Sequence, residues 1–399
     1  MKKLLMIDPN YPRANKSVNH KDILPVGLLK IGAYYKDLGW DVKLLRLCET
    51  DQPIDFEPNK IMITSLFTYW AEYVKKAVDF AKEHYPMATI EVGGVFASLQ
   101  PQLCKLVTGC DTVYQGVMQE AEEYQADYSL LSEEPNFQIL HTTRGCHRRC
   151  KTCGVYCIEP QMSYRDSIKD LIFKEELVFY DNNILINPHI ERILRELIVL
   201  RRKKIIKSCE CQSGFDGRVL RKKPHLAKML KEAGFVRPKI AWDGSIKNWK
   251  KRKEEIDILV DAGFYRRNIG VFVLENYVEP YEVMEKKRLY CWEWGVQVVQ
   301  CRYRPLDQLF DHYNGRRKHQ TPKDYYLHPN WTHKELKRYN RNVKCHNICI
   351  RFNTKFHSGK AEYKKVSSDL IRKTRYMEYD EAKKYLDDCW NPAVFQEVE

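Results

Sequence analysis

Apolar positions fall in short blocks along the first third of the chain, and the blocks alternate between two periods. Lys3 to Ile7 is a short apolar run, and Pro25 to Leu38 carries apolar residues at helical spacing before stopping at Gly39. Trp40 to Leu47 alternates as a strand does. Lys60 to Ser65 predicts a strand and Glu72 to His84 a helix. Thr89 to Val92 predicts a strand that stops at Gly93-Gly94, and Asp111 to Tyr114 a last short one. This alternation over residues 1–125 predicts a parallel sheet with helices on both faces. Ligands of such sheets bind beyond the carboxyl ends of the strands. Residues 126–136 lie in a polar stretch without a periodic apolar face and read as a linker.

A second alternating unit occupies residues 137–300. Its strands are expected at Phe137 to His141, Leu177 to Tyr180, Ile205 to Cys211, Lys239 to Trp242, Asn268 to Leu274 and Gly295 to Gln300. Helices are expected between them, at Pro188 to Leu200, Lys223 to Ala233 and Lys250 to Ala262. Five or six such units predict a partial or complete barrel, with its chemistry at the carboxyl ends of the strands. Polar residues land there: Asp181 to Asn183, Gln212 to Gly217, Asp243 and Asn276. Residues 301–399 read as a C-terminal, mostly helical or irregular extension facing the substrate, with partial helical spacing from Ser367 to Leu386.

Composition narrows the class. The chain has 399 residues, 44% hydrophobic and 12% aromatic, enough for a real core; global disorder and collagen-like repetition are excluded. No run of 18 apolar residues occurs, so no membrane insertion is expected. Met1 to Asp8 reads as a strand rather than a signal peptide, and a cytoplasmic location is the expectation. The formal charge of +14 permits an anionic partner. The basic residues are spread out, however, with local clusters at Arg201 to Lys204, Lys247 to Lys253 and Arg351 to Arg375. A solvated surface accounts for most of them. Fourteen cysteines without an export signal point to metal chemistry where they are dense.

They are densest at Cys146, Cys150 and Cys153, spaced Cys-x3-Cys-x2-Cys directly after a predicted strand. Three thiolates on a short loop can hold three irons of a cubane cluster and leave the fourth iron open to a ligand. Zinc with Cys157 as a fourth ligand is the alternative.

The spacing resembles that of the radical S-adenosylmethionine (SAM) superfamily. The resemblance implies a 4Fe-4S cluster whose open iron chelates the amino and carboxylate groups of SAM. The cluster then cleaves SAM reductively to methionine and a 5′-deoxyadenosyl radical, fed by an electron donor such as flavodoxin or ferredoxin. Thr152 stands where the family usually has an aromatic residue, which leaves Tyr156 as the nearest candidate to stack on adenine. Asp181 and Asn182 stand where the family contacts the SAM amino group. Gln212, Ser213 and Asp216 follow the third strand as candidates for ribose or carboxylate contacts, and Arg218 for the carboxylate. Asp243 would face the ribose hydroxyls or cap a helix, and Asn276 is a further candidate.

The first domain resembles the cobalamin-binding-like domain that precedes some radical SAM cores. The matching pieces are Leu24 to Leu29, Ser65 to Trp70 and Gly93 to Ser98. Ser65, Thr68, Gly93, Gly94, Ser98 and Gly116 are the cofactor candidates this implies. Bound cobalamin would imply methyl transfer to an unactivated carbon. Without it, cyclisation, lyase chemistry or sulfur insertion stays open, and Cys291, Cys301, Cys345 and Cys349 are candidates for an additional cluster. A non-catalytic, metal-containing nucleic-acid-binding protein is the reading from another class. Arg302, Tyr303 and Arg304 after the last barrel strand are expected to clamp a phosphate or carboxylate of the substrate. A small molecule, a peptide or RNA are the substrate classes this leaves open.

Overall fold

The computed structural model describes residues 1–12 and 23–351. The predicted helical stretch Ser367 to Leu386, and all but the first residue of the basic cluster Arg351 to Arg375, lie outside the described residues.

The first half is a mixed α/β unit. Its strands are β1 (Lys3–Asp8), β2 (Asp41–Arg46), β3 (Lys60–Ser65), β4 (Thr89–Gly94) and β5 (Thr112–Val113). Its helices are α1 (Val26–Asp37), α2 (Ala71–His84), α3 (Val95–Leu99), α4 (Pro101–Thr108) and α5 (Gln119–Glu122). All strand pairs are parallel, in the order β2-β1-β3-β4-β5, which makes the sheet Rossmann-like. Leu4, Leu5, Met6 and Ile7 of β1 are each 0% exposed, because both faces of the sheet are covered. Alternate residues point to opposite faces. Leu5, Ile7, Ile61 and Ile63 join Val74 and Val78 of α2, whereas Leu4, Met6 and Met62 join Leu28 of α1. The strand order reverses at β1 and β3, which puts the crevice of this sheet at their carboxyl ends.

The second half holds β6 (Phe137–Leu140), β7 (Thr143–Arg144), α6 (Val155–Ile158), β8 (Ser163–Tyr164), β9 (Glu176–Phe179), α7 (Ile190–Arg202) and β10 (Ser208–Cys211). It continues through α8 (Gly217–Lys222), α9 (His225–Glu232), β11 (Lys239–Ala241), α10 (Trp249–Asp261), β12 (Gly270–Glu275), α11 (Tyr281–Glu293) and β13 (Gln297–Arg302). Two parallel sheets form, ordered β10-β9-β6 and β11-β12-β13. Isolated parallel bridges, Cys209 to Phe235 and Phe215 to Ile240, lie between them. Among the described residues no ladder joins β13 back to β6. The helices pack outside, and Ile193, Leu197, Leu226, Leu230, Ile256 and Leu259 belong to one large core with the strands.

The chain then runs irregularly to α12 (His333–Arg351), whose start is a capping box. Thr332 Oγ accepts from the Glu335 N–H at 3.2 Å, and Glu335 accepts from the Thr332 N–H at 2.7 Å.

The polar stretch expected to be a linker is packed. Ala126 and Tyr128 are buried in a cluster with Leu24 and Leu29 of the first half and Ile139 and Val178 of the second. Its apolar residues lack periodicity because they ride on a single 3-10 turn, Tyr128–Leu130. Among the described residues no helix is long and apolar enough to cross a membrane.

Candidate functional site

The cysteine loop is inserted between β6 and β9, where a βα unit would ordinarily place a long helix. Gly145 opens it at φ +75°, and a Cβ there would lie 2.8 Å from the Gln161 carbonyl oxygen, so only glycine fits. The Gly145 N–H donates to Glu159 at 2.6 Å. Arg144 pairs with both Glu159 and Glu122, at 3.1 Å each. Inside the loop Arg149 is left-handed at φ +42°, and the Cys153 N–H donates to the Cys150 carbonyl at 3.0 Å. The loop's far side leans on the first half: a Cβ at Gly154 would meet the Leu99 side chain of α3 at 2.8 Å.

Two strand ends face this loop. Asp216 after β10 accepts from Arg148 at 2.7 Å, from Arg218 at 3.0 Å and from Asn183 at 3.2 Å. It also caps α8 through the Arg218 N–H at 3.1 Å. Burial would raise the Asp216 carboxyl, but Arg218 and Arg148 outweigh it and hold it below the usual carboxylate range. Asp243 after β11 has no hydrogen bond or ion pair among the described residues. Burial on its protein side pushes its carboxyl up against the pull of Lys287, Arg252 and Arg218.

Cys146 and Cys153 are half-buried and Cys150 is exposed; none is in a disulfide. Burial raises the Cys150 thiol, Arg218 lowers it, and Asp243, Cys146 and Asp216 raise it. Burial also raises Cys153, which receives the Val155 N–H and feels Cys150, Cys146 and Asp243. The three predicted thiols therefore share one loop and one another's field, beside Asp216, Arg218 and Asp243. Cys157 is exposed on α6 and is not among these charges. Among the described residues, no group of three or more His, Cys, Asp or Glu side chains is arranged to hold a metal ion. The sulfurs thus do not converge as they stand. All three thiols are free and accessible in part, and the Val155 N–H already points at the Cys153 sulfur.

Several predicted contacts turn out to be consumed internally. Asp181 is fully buried, and its carboxylate accepts from the Thr142 N–H and hydroxyl. Burial, opposed by those bonds, pushes it up to about 6. Ser213 donates to the Asp181 carbonyl, and Asn182 donates to Glu159 at 2.6 Å. Gln212 follows β10, and its N–H donates to the Phe179 carbonyl at 3.0 Å. Tyr156 is partly exposed on α6. Asn276 donates to the carbonyls of Tyr303 and Tyr326 and accepts from the His328 N–H, so it staples the C-terminal segment.

The expected clamp is also neutralised. Arg302 and Arg304 both bind Asp311; Arg302 lies over Tyr313 and Arg304 over Tyr69 of the first half. Tyr303 packs against Tyr277 with ring centroids 4.4 Å apart. Cys291 and Cys349 are buried in the helical layer, apart from the half-buried Cys301 on β13, and with Cys345 they form no metal-holding group.

The polar groups that the cobalamin resemblance points to are bonded to one another within the first half. The Ser65 hydroxyl donates to the Gly93 carbonyl and accepts from the Ala97 N–H. Ser98 donates to the Gly94 carbonyl and accepts from the Gly116 N–H. Gly94 has φ +96°, and a Cβ there would sit 2.3 Å from the Ser65 carbonyl oxygen, so its glycine serves the sheet's own close approach. Thr68 is buried in a 3-10 turn. The cavity at this edge, which Gly93 and Gly116 do line, is about 310 Å³.

Sequence reasoning missed Arg148, Glu159 and Glu122, the charged struts of the loop. Their signal was charged residues bracketing the cysteines. No protein-family model matches the chain, and no curated protein matches it.

Proposed function

We propose that the chain is a radical SAM enzyme built on a partial (β/α)6 barrel, with Cys146, Cys150 and Cys153 holding a 4Fe-4S cluster and SAM as co-substrate. The observation that carries this reading is the placement of a three-thiol loop at the carboxyl ends of parallel strands, faced by Asp216, Arg218 and an unpartnered Asp243. When bound, the cluster would supply the single electron that cleaves the sulfonium.

The chain's own residues bind and orient. Arg148, tied to Asp216, fixes the loop against the barrel. Arg218, the cation nearest Cys150, takes the SAM carboxylate, and Asp243 takes its ribose hydroxyls or ammonium. Glu159 and Arg144 hold the loop's entrance. Tyr277, Tyr303 and Tyr326 form an aromatic rim beyond β12 and β13 that shields the reaction from water. Because Ser65 and Ser98 at the edge of the first sheet are already bonded to neighbouring backbone groups, the proposed chemistry is cobalamin-independent hydrogen abstraction ending in cyclisation or bond cleavage. A flavodoxin- or ferredoxin-type protein would supply the electron.

Anaerobic reconstitution should give about four irons per chain, and dithionite should then release methionine and 5′-deoxyadenosine from SAM. Replacing Cys146, Cys150 and Cys153 with Ala should abolish both. Asp243→Asn should raise the KM for SAM on the order of tenfold while keeping the iron. Zinc bound in place of iron, or iron bound without SAM cleavage, would overturn the assignment.

A further inference from the structure

Four aromatic side chains close a circuit at the carboxyl ends of β12 and β13. Tyr277 follows β12, Tyr303 follows β13, and Tyr326 and His328 come from the irregular stretch before α12. None of the four is fully buried. Tyr277 meets Tyr303 with ring centroids 4.4 Å apart, Tyr303 meets Tyr326 at 5.8 Å, Tyr326 meets His328 at 6.5 Å, and His328 meets Tyr277 at 5.9 Å. Successive planes are inclined by 49°, 78°, 75° and 65°. Planes that meet this steeply in a closed circuit are placed as the walls of a box. With adjoining centroids this far apart, opposite walls stand about 8 Å apart and the centre lies about 4 Å from each ring, within the roughly 6 Å reach of a cation–π contact.

A single buried amide sets the backbone of this circuit. Asn276 is 0% exposed and holds the carbonyls of Tyr303 and Tyr326 and the N–H of His328, and Tyr277 is its chain neighbour.

The charges nearby select the occupant. Both arginines of this segment are occupied: they bind Asp311, Arg304 lies over Tyr69, and Arg302 lies over Tyr313 and Tyr325. Among the described residues no Lys or Arg lies over Tyr277, Tyr303 or Tyr326. His328 adds no positive charge, because its Nδ1 accepts the Asn330 N–H at 3.1 Å and burial lowers its pKa. Asp307 is exposed, has no hydrogen bond or ion pair among the described residues, and acts on the Tyr303 hydroxyl. Ring faces beside a carboxylate favour a cation over a phosphate or carboxylate. They offer few acceptors for N–H groups, so a fully methylated ammonium loses less on entering than a primary one.

We propose that this box binds a quaternary ammonium group, of the choline class, with its methyls against Tyr277, Tyr303, Tyr326 and His328. The site is made by the rings and stands whether or not the cysteine loop carries iron. That the ammonium belongs to the substrate rests on the radical SAM reading, which assigns these strand ends to catalysis.

The test uses the full chain without added iron, titrated by calorimetry and ligand-observed NMR. The probes are choline, its uncharged isostere 3,3-dimethyl-1-butanol, and ethanolamine. Choline should bind at one site per chain, and each of the others at least about tenfold more weakly. Tyr303→Leu should weaken choline about tenfold, and Tyr303→Phe, which restores a ring face, should bring it back to within about threefold of the parent chain. Tyr326→Leu repeats the loss should Tyr303→Leu not fold. Choline that fails to bind, or binds no better than either other probe, would overturn the proposal. So would choline binding that ignores both leucine substitutions. Choline bound selectively by a chain that cleaves no SAM after iron reconstitution would keep the box and remove only its claim on the substrate.

Discussion

Gly94 and Gly93 are neighbours with different reasons to be glycine. At Gly94 the backbone is left-handed and a Cβ would strike the Ser65 carbonyl at 2.3 Å, whereas at Gly93 the nearest atom would be Tyr114 Cβ at 3.7 Å. Gly94→Ala should cost about 2–4 kcal/mol and Gly93→Ala under about 1 kcal/mol, both read from urea midpoints. Equal costs would refute the distinction. Glu275, at the end of β12, titrates as no exposed carboxylate would. Burial, against the Gln300 hydrogen bond and the charges of Arg302 and Arg304, pushes it up to about 7. The folded chain therefore keeps a proton that the unfolded chain, titrating near about 4.3, has released. The stability this group contributes is full below about pH 4 and is lost as pH rises through about 7. The span is about 4 kcal/mol. Asp181, pushed up to about 6, adds to the same trend. Glu275→Gln should flatten the difference in stability between about pH 5 and 8, and an unchanged slope would show that Glu275 titrates normally.

At the scale of elements, Asn276 decides how the segment after β13 is held. It sits at φ +58° and joins Tyr303, Tyr326 and His328 through three hydrogen bonds. Asn276→Ala should cost about 3 kcal/mol and speed amide exchange across residues 303–332, with the N-terminal sheet unchanged. Most strands were legible from their sequence, since β1, β3, β6 and β12 are apolar blocks bounded by polar residues. The cysteine loop was legible from spacing alone. The partners of Asp181, Ser213, Asn276, Arg302 and Arg304 were not. A polar residue at a strand end looks the same whether it meets a ligand or a remote backbone group. Asp181 meets Thr142, 39 residues away, and Asn276 meets Tyr326, 50 away. The packed stretch around Tyr128 was hidden for another reason, because one 3-10 turn is too short to show a period.

Across the whole molecule, the open edge of the second half is where the first half docks. β6 ends its sheet, and the Tyr128 hydroxyl takes the Ile139 N–H at 2.8 Å there, which protects an otherwise bare strand edge. Lys30 and Arg144 meet on Glu122 across the same seam. Tyr128→Ala should lower stability by about 3–5 kcal/mol and open residues 126–136 to proteolysis before either half is cut. Simultaneous cutting everywhere would mean the seam is not the weak point. The contact of Gly154 with Leu99 adds a consequence for engineering. The stretch bearing the thiols borrows part of its scaffolding from α3, so a chimera that grafts residues 137–302 beneath a foreign partner should lose the loop's shape. Only a donor offering a leucine-sized ledge opposite that glycine would restore it.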